Sequence, residues 1–182
     1  MIAFLSIMLH FASCNKDKED PVIPNEEELI TTFLFTLVDT LNQDTAVLSY
    51  VDLDGDGGND PVITSDSLKA NTNYYGYIQL LNQSVDPAED IGEEVEEEGI
   101  EHQFFYEVQS SLNMVVTYND SDANGNPIGL ETWLNTGEAS GGELVITLRH
   151  EPDKYASGVS DGMIANAGGE TDIEVNFETV VN

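Results

Sequence analysis

Apolar and polar residues alternate with a period of two along most of the chain after residue 28, a pattern typical of half-buried β-strands. Eight segments rich in Val, Ile, Thr, Phe and Tyr are separated by turn-forming Gly, Asn, Asp and Pro. They are residues 30–39, 46–51, 74–81, 103–108, 112–118, 130–134, 143–150 and 172–179. Residues 87–99 instead predict a short acidic helix, with Pro87 in its first turn and Ala88, Ile91 and Val95 as its apolar stripe. Many strands and one helix predict an all-β fold, a sandwich or a barrel.

A short motif favours the sandwich. Residues 68–74 read L-K-A-N-T-N-Y, which resembles the L-x-P-x-T-x-Y tyrosine corner of immunoglobulin-like and fibronectin type III domains, with Ala70 in place of Pro. In those domains the tyrosine hydroxyl bonds back to the backbone where the chain passes between the sheets. We therefore predict an immunoglobulin-like or fibronectin-III-like β-sandwich, formed as one domain by residues 29–182, in which Tyr74 makes this bond.

The chain also suggests an internal duplication. Residues 46–57 (A-V-L-S-Y-V-D-L-D-G-D-G) parallel residues 114–125 (M-V-V-T-Y-N-D-S-D-A-N-G) at an offset of 68. An aromatic strand precedes each copy and a proline follows each. This similarity favours two related halves, although two unrelated strand-and-turn units would give the same pattern.

The N-terminus resembles a bacterial lipoprotein signal. Residues 2–11 are mostly apolar, and at about 1.5 Å per residue they are too short to span a bilayer core of about 30 Å. F-A-S-C, ending at Cys14, resembles the lipobox that precedes a lipidated cysteine. We expect a signal peptide over 1–13 and a flexible tether over 14–28, on an outer-membrane lipoprotein. The alternative is a cleaved secretory signal with an incidental thiol.

The charge balance limits the partners. The chain has 35 Asp and Glu against five Lys and Arg, for a formal charge of −30. Nucleic acid is excluded, because neutralising phosphates requires a basic surface. Either adaptation to a saline setting or specific cation sites would offset the self-repulsion of such a chain.

Two predicted loops carry oxygen ligands at alternating positions, as hard cations require. The candidate Ca²⁺ ligands are Asp52, Asp54, Asp56 and Asp60 in the first loop, and Asp120, Asp122, Asn124 and Glu131 in the second. The second set matches the string of an EF-hand loop. Strands flank both loops, so we expect a calcium-stapled β-loop rather than an EF-hand. Ordinary Asp/Gly turns without metal are the alternative.

A weaker metal alternative rests on two histidines. His102 begins one predicted strand and His150 ends another, with Glu101 and Glu151 as their neighbours. If successive strands alternate in direction, both histidines and Glu170 gather at one pole of the fold. Two imidazoles and a carboxylate suit Zn²⁺ or Cu²⁺.

The sequence contains none of the common catalytic motifs, such as H-E-x-x-H, G-x-S-x-G, a P-loop or C-x-x-C. We therefore expect a lipid-anchored, calcium-stabilised binding module of the cell envelope, not an enzyme. Its acidic loops would face a glycan, a protein or a small-molecule ligand. The alternative is a periplasmic solute-binding or metal-scavenging lipoprotein. An enzyme using paired carboxylates is a third interpretation.

Several segments resemble a family of small Gram-negative lipoproteins described as type 1 periplasmic-binding-fold superfamily proteins. They are residues 52–58, 68–74, 87–91, 101–105, 125–130, 147–152 and 167–172. The resemblance covers nearly the whole chain from about residue 25, and the family name implies solute capture. A periplasmic-binding fold needs repeated βαβ units, whereas this pattern contains one helix, so we expect the sandwich.

Overall fold

Ten strands and one helix make up the computed structural model, which describes residues 29–55 and 58–182. Two short 3-10 turns, Val159–Asp161 and Ile164–Asn166, precede the last strand. The helix α1 is Ile91–Glu97. The strands are β1 Thr32–Asp39, β2 Thr45–Val51, β3 Val62–Ser65, β4 Asn73–Asn82, β5 Glu89–Asp90, β6 His102–Val108, β7 Met114–Tyr118, β8 Glu131–Thr136, β9 Ser140–His150 and β10 Glu170–Val181.

The strands form two antiparallel sheets, which confirms the predicted all-β sandwich. The larger sheet has the order β3-β2-β1-β4-β8-β7, with β5 paired to β4, and the smaller has the order β10-β9-β6. This division into seven and three strands differs from the four and three of an immunoglobulin constant domain. Phe33 on β1 joins the sheets, because its ring lies 6.2 Å from that of Phe104 and 5.9 Å from that of Phe177.

All eight predicted strands are present, and the two additional ones have weak sequence signals. Val62 and Ile63 on β3 are 62% and 44% exposed, so β3 lacks a buried apolar face. β5 consists of two acidic residues whose only strand character is their pairing with Leu81 and Asn82.

The helix begins later than predicted. Asp90 caps it by accepting the N–H of Gly92 at 3.0 Å, so Pro87 lies before the first turn. Ile91 and Val95 are buried as expected, whereas Ala88 is exposed. The prediction for Pro87 and Ala88 was wrong because residues 89–90 pair with the sheet before the helix starts.

The predicted tyrosine corner is confirmed. The backbone N–H of Lys69 donates to the hydroxyl of Tyr74 at 2.8 Å. The ring of Tyr74 is buried. Tyr74 is the second residue of β4, the strand that pairs with both β1 and β8.

The two halves suggested by the sequence are not equivalent in the fold. In the first, β1 and β2 pair directly in the larger sheet. In the second, β6 belongs to the smaller sheet while β7 forms an edge of the larger one. The shared sequence pattern therefore reflects a strand followed by an acidic turn, not a repeated structural unit.

The proposed signal peptide 1–13, Cys14 and the tether 14–28 lie outside the described residues. Across the part of the chain that is described, no helix has the length and apolar character needed to cross a membrane.

Candidate functional site

In the first acidic loop, carboxylates hold the backbone turn. The N–H of Gly55 donates to Asp52 Oδ1 at 2.9 Å. Asp54 Oδ2 accepts both the backbone N–H of Asn59 at 3.1 Å and its side-chain amide at 2.6 Å. These bonds from Asn59 hold the pKa of Asp54 below its usual value. Asp60 is exposed at the end of the loop.

Asp56, the central ligand of the calcium prediction, lies outside the described residues. Among the residues that are described, no three acidic or histidine side chains of this loop come within 4.8 Å of one another. Among the described residues, the hydrogen bonds of Asp52 and Asp54 and the bond from the Gly58 N–H to the Gly55 carbonyl close the turn. Calcium binding here stays a prediction.

The carboxylates of the second loop are also engaged by the backbone. Asp120 accepts the N–H of Gly129 at 2.7 Å and that of Glu131 at 3.0 Å. Asp122 Oδ1 accepts the N–H groups of Asn124 at 2.8 Å and Asn126 at 3.0 Å. These bonds fold the loop back on itself between β7 and β8.

A buried lysine neutralises this loop from a distant part of the chain. The Lys154 ammonium donates to Asp122 Oδ2 at 3.1 Å, to the carbonyl of Pro127 at 3.0 Å and to the carbonyl of Gly99. Burial lowers the pKa of Lys154, an effect that Asp122 opposes. Burial raises the pKa of Asp122, but hydrogen bonds from Asn126 and Lys154 outweigh it, so that this pKa is lowered.

Lys154 thus supplies a cation at the place where the sequence predicted Ca²⁺. Sequence reasoning missed it, although Lys154 is one of only three Lys or Arg residues after residue 18. The side chain of Asn124 is exposed. Glu131 Oε2 accepts the Asn119 amide at 3.2 Å. Calcium binding by this second set stays a prediction, with Asp122 already engaged by an ammonium.

Beside this loop lies an open cleft of about 940 Å³. Its walls are the outward face of β4, the helix α1 and the start of the loop after β7. Seven of its 19 lining residues are acidic. They are Asp90, Glu93, Glu96, Glu97, Asp120, Asp122 and Glu131. Neither Lys, Arg nor His occurs among the described residues that line it.

Aromatic and apolar groups share this cleft with the acids. The rings of Tyr75 and Tyr77 lie 6.1 Å apart, and Trp133 packs against Tyr75 at 5.6 Å. Tyr77 is 39% exposed and Ile100 is 51% exposed. Burial and the nearby carboxylate of Glu131 raise the pKa of Tyr75 to about 12, so its hydroxyl stays protonated at neutral pH.

The two histidines, which the sequence placed at one pole of the fold, form a buried pair. His102 on β6 and His150 on β9 are cross-strand partners. Their rings stack with centroids 4.7 Å apart and planes inclined by 12°. The carboxylate that joins them is Asp172 of β10, and the nearest ligand atoms of the three residues all lie within 4.8 Å of one another.

Asp172 was missed because a backbone irregularity places it. The register of β10 against β9 shifts between Thr171 and Ile173, so Asp172 is the extra residue of a bulge. Its side chain is fully buried, 3.8 Å from His102 Nε2. Strict alternation puts neighbouring residues on opposite faces, and no pattern in the sequence signals the bulge. Glu170, which the sequence placed at this pole, pairs with His150 along the backbone.

His102 is held by a backbone bond at its other nitrogen. Nδ1 lies 3.3 Å from the carbonyl oxygen of Glu98, to which it donates. Burial, the adjacent His150 and the charge of Lys154 lower the pKa of His102 to about 4, although the bond to Glu98 opposes this. His102 is therefore neutral at physiological pH.

A scan of protein-family models and searches of curated proteins and of solved structures each find no match to this chain. The resemblance to small Gram-negative lipoproteins stays a prediction.

Proposed function

We propose that this protein is a binding module of the cell envelope whose acidic cleft captures a small organic polycation of the polyamine class. The observation that carries the proposal is the lining of the cleft, in which six carboxylates besides the Lys154-paired Asp122 lie near the exposed ring of Tyr77, with no basic side chain among the described lining residues. The volume of about 940 Å³ lies at the upper end of the range for small-molecule sites.

The arrangement of the charges supports a ligand with several separated cationic groups. Glu93 and Glu97 of α1 line the cleft together with Glu131 of β8. Glu131 is the cross-strand partner of Tyr77. A polyamine alternates ammonium groups with short methylene chains, so its charges would meet the carboxylates while its methylenes cover Tyr77 and Ile100. Cation–π contact with an exposed tyrosine ring adds roughly 0.5–1 kcal/mol.

The mixed lining favours an organic cation over a bare metal ion. Ca²⁺ takes six to eight oxygen ligands at short range and gains nothing from exposed rings. The net charge of −30 would draw any cation toward the protein. The apolar part of the cleft would then select ligands that carry methylene groups as well as charge.

The lipoprotein signal expected over 1–13 gives the proposal its cellular setting. A lipidated Cys14 followed by an extended tether of about 15 residues would hold the cleft up to about 45 Å from the bilayer. A polycation-binding module in that position would collect its ligand at the membrane surface. Calcium bound in the first loop would stiffen the domain without occupying the cleft.

The test is calorimetric titration of the purified protein with spermidine, at fixed ionic strength and with Mg²⁺ as a competitor. We expect one saturable site that Glu97→Gln and Glu131→Gln each weaken about fivefold, equivalent to roughly 1 kcal/mol. Glu178→Gln is the matched control, because it removes the same charge from an exposed position on β10 that does not line the cleft. Equal weakening by all three variants would show nonspecific ion attraction and overturn the proposal.

A further inference from the structure

We propose that His102, His150 and Asp172 form a transition-metal site and that Zn²⁺ is the ion their ligand set fits. This site lies in the smaller sheet and is independent of the acidic cleft. Two imidazoles and one carboxylate are the ligands of many three-residue zinc sites, which leave a further position for water or a ligand.

The hydrogen bonding of His102 carries the proposal. A neutral imidazole has one N–H and one lone pair, yet both ring nitrogens of His102 face oxygen acceptors. Nδ1 faces the carbonyl of Glu98 at 3.3 Å and Nε2 faces Asp172 Oδ2 at 3.8 Å. With Nδ1 donating, Nε2 carries the lone pair and lies 3.8 Å from a carboxylate oxygen, an arrangement that a cation between the two atoms would stabilise.

A proton is the simplest such cation, but the surroundings disfavour it. His102 is wholly buried, and its Nε2 makes no hydrogen bond to any described residue. The ring of His150 stacks on that of His102 with centroids 4.7 Å apart, so a charged imidazolium would lie against a second imidazole and away from water. A metal ion differs from a proton because it would bind His102, His150 and Asp172 at the same time. The two imidazoles would then coordinate one cation, and neither would have to carry a charge beside the other.

The bond from His102 to Glu98 also matches the usual support of a metal-binding histidine. Such residues donate their second ring N–H to a carboxylate or a backbone carbonyl, which fixes the ring and leaves the other nitrogen for the metal. The Glu98 carbonyl follows α1, so the end of the helix orients the ring.

Three strands hold the ligands rigidly. His102 and His150 are directly paired across β6 and β9. The bulge in β10 turns Asp172 inward beside the buried Ile173. Bulges of this kind are over-represented next to functional sites, where they redirect a side chain.

The site has a polar approach from solvent. The exposed carboxylates of Glu101 and Glu151 also lie within 4.8 Å of a ligand atom of His150. Glu151 has a left-handed backbone, with φ of 49°, a conformation that is uncommon outside glycine. An incoming cation would meet Glu101 and Glu151 before reaching the buried set.

The experiment is titration of metal-depleted, full-length protein with Zn²⁺, in millimolar Mg²⁺ and Ca²⁺ to saturate sites made only of oxygen. We expect one Zn²⁺ per chain, with the affinity reduced at least a hundredfold by His102→Gln and by Asp172→Asn. Glu170→Gln is the matched control, since Glu170 is an exposed carboxylate on the same strand outside the cluster. This control should bind Zn²⁺ like the wild type.

Two further arms keep the result decisive if a histidine variant unfolds. Electron paramagnetic resonance of the wild type with one equivalent of Cu²⁺ should show superhyperfine splitting from two imidazole nitrogens. The double variant Glu101→Gln/Glu151→Gln should retain stoichiometric binding. If the double variant lost Zn²⁺ binding and Asp172→Asn retained it, the ion would be bound by the exposed carboxylates and not by the buried cluster. That result would overturn the proposal. A Cu²⁺ spectrum with a single nitrogen ligand, or a titration without stoichiometric Zn²⁺ binding, would overturn it as well.

Discussion

Lys154 and Asp122 form a buried ion pair across 32 residues of sequence, with Nζ and Oδ2 separated by 3.1 Å and only 3% and 1% of their side chains exposed. The pair joins the loop after β9 to the acidic loop between β7 and β8. The chain has five Lys and Arg residues, and this pair buries one of them.

Lys154→Met should lower the free energy of unfolding by about 3–5 kcal/mol. Removing one partner of a buried pair leaves the other charge uncompensated, and here Asp122 would lose its only ammonium partner among the described residues. Urea unfolding measures the change. Lys69→Met is the comparison, because Lys69 is 48% exposed. The buried Asp39 beside it also accepts hydrogen bonds from Leu41 and Asn42, so the loss there should be clearly smaller. Similar losses for both lysines would contradict the buried role of Lys154.

Tyr74→Phe should destabilise the fold by about 1–2 kcal/mol with little change in packing. The variant removes the hydroxyl that accepts the N–H of Lys69 at 2.8 Å and leaves that donor unpaired. Thermal unfolding measures the effect, with Tyr155→Phe as the control because Tyr155 is 77% exposed. An unchanged Tm in Tyr74→Phe would mean that the corner bond contributes nothing to stability.

The metal-free protein should lose stability as the pH falls from about 6.5 to about 4. The His102 imidazole takes up a proton near 6.5 in the unfolded chain but only near 4 in the fold, because burial and His150 disfavour its charge. Below 6.5 the unfolded state therefore binds more protons, and the free energy of unfolding decreases. Urea unfolding between pH 7 and 5 measures the dependence, mostly above the range in which carboxylates usually titrate. His102→Gln should flatten the dependence, and an identical slope in that variant would refute the assignment.

Calcium should raise the Tm by several degrees more than Mg²⁺ or NaCl of equal ionic strength if the first loop binds it. At a tenfold excess over the dissociation constant, linkage gives about 1.4 kcal/mol. Asp54→Asn should abolish the difference, whereas Glu178→Gln should retain it. Equal shifts in all three salts would show that screening alone stabilises the acidic chain.

Hydrophobic periodicity predicted the architecture because most strands bury one face. All eight predicted strands exist, and the L-x-A-x-T-x-Y motif placed Tyr74 correctly. Periodicity does not reveal β3 and β5, because pairing alone defines these strands and neither has a buried face.

The candidate sites were harder to predict because they depend on contacts distant in sequence. The acids at Asp120 and Asp122 suggested a metal loop, but nothing local indicated that Lys154 would reach Asp122. His102 and His150 could be placed at one pole from strand direction alone. Asp172 could not, because a bulge reverses the face that its position in the strand implies.

Mapping spermidine on the protein by NMR tests the central claim most directly. Amide signals of Tyr75 and Tyr77, of α1 and of residues 119–123 should shift together and saturate at one equivalent. Signals of β10, which carries exposed acids outside the cleft, should stay nearly constant. Small shifts that spread over every acidic surface and never saturate would contradict the assignment of the cleft as a polycation site.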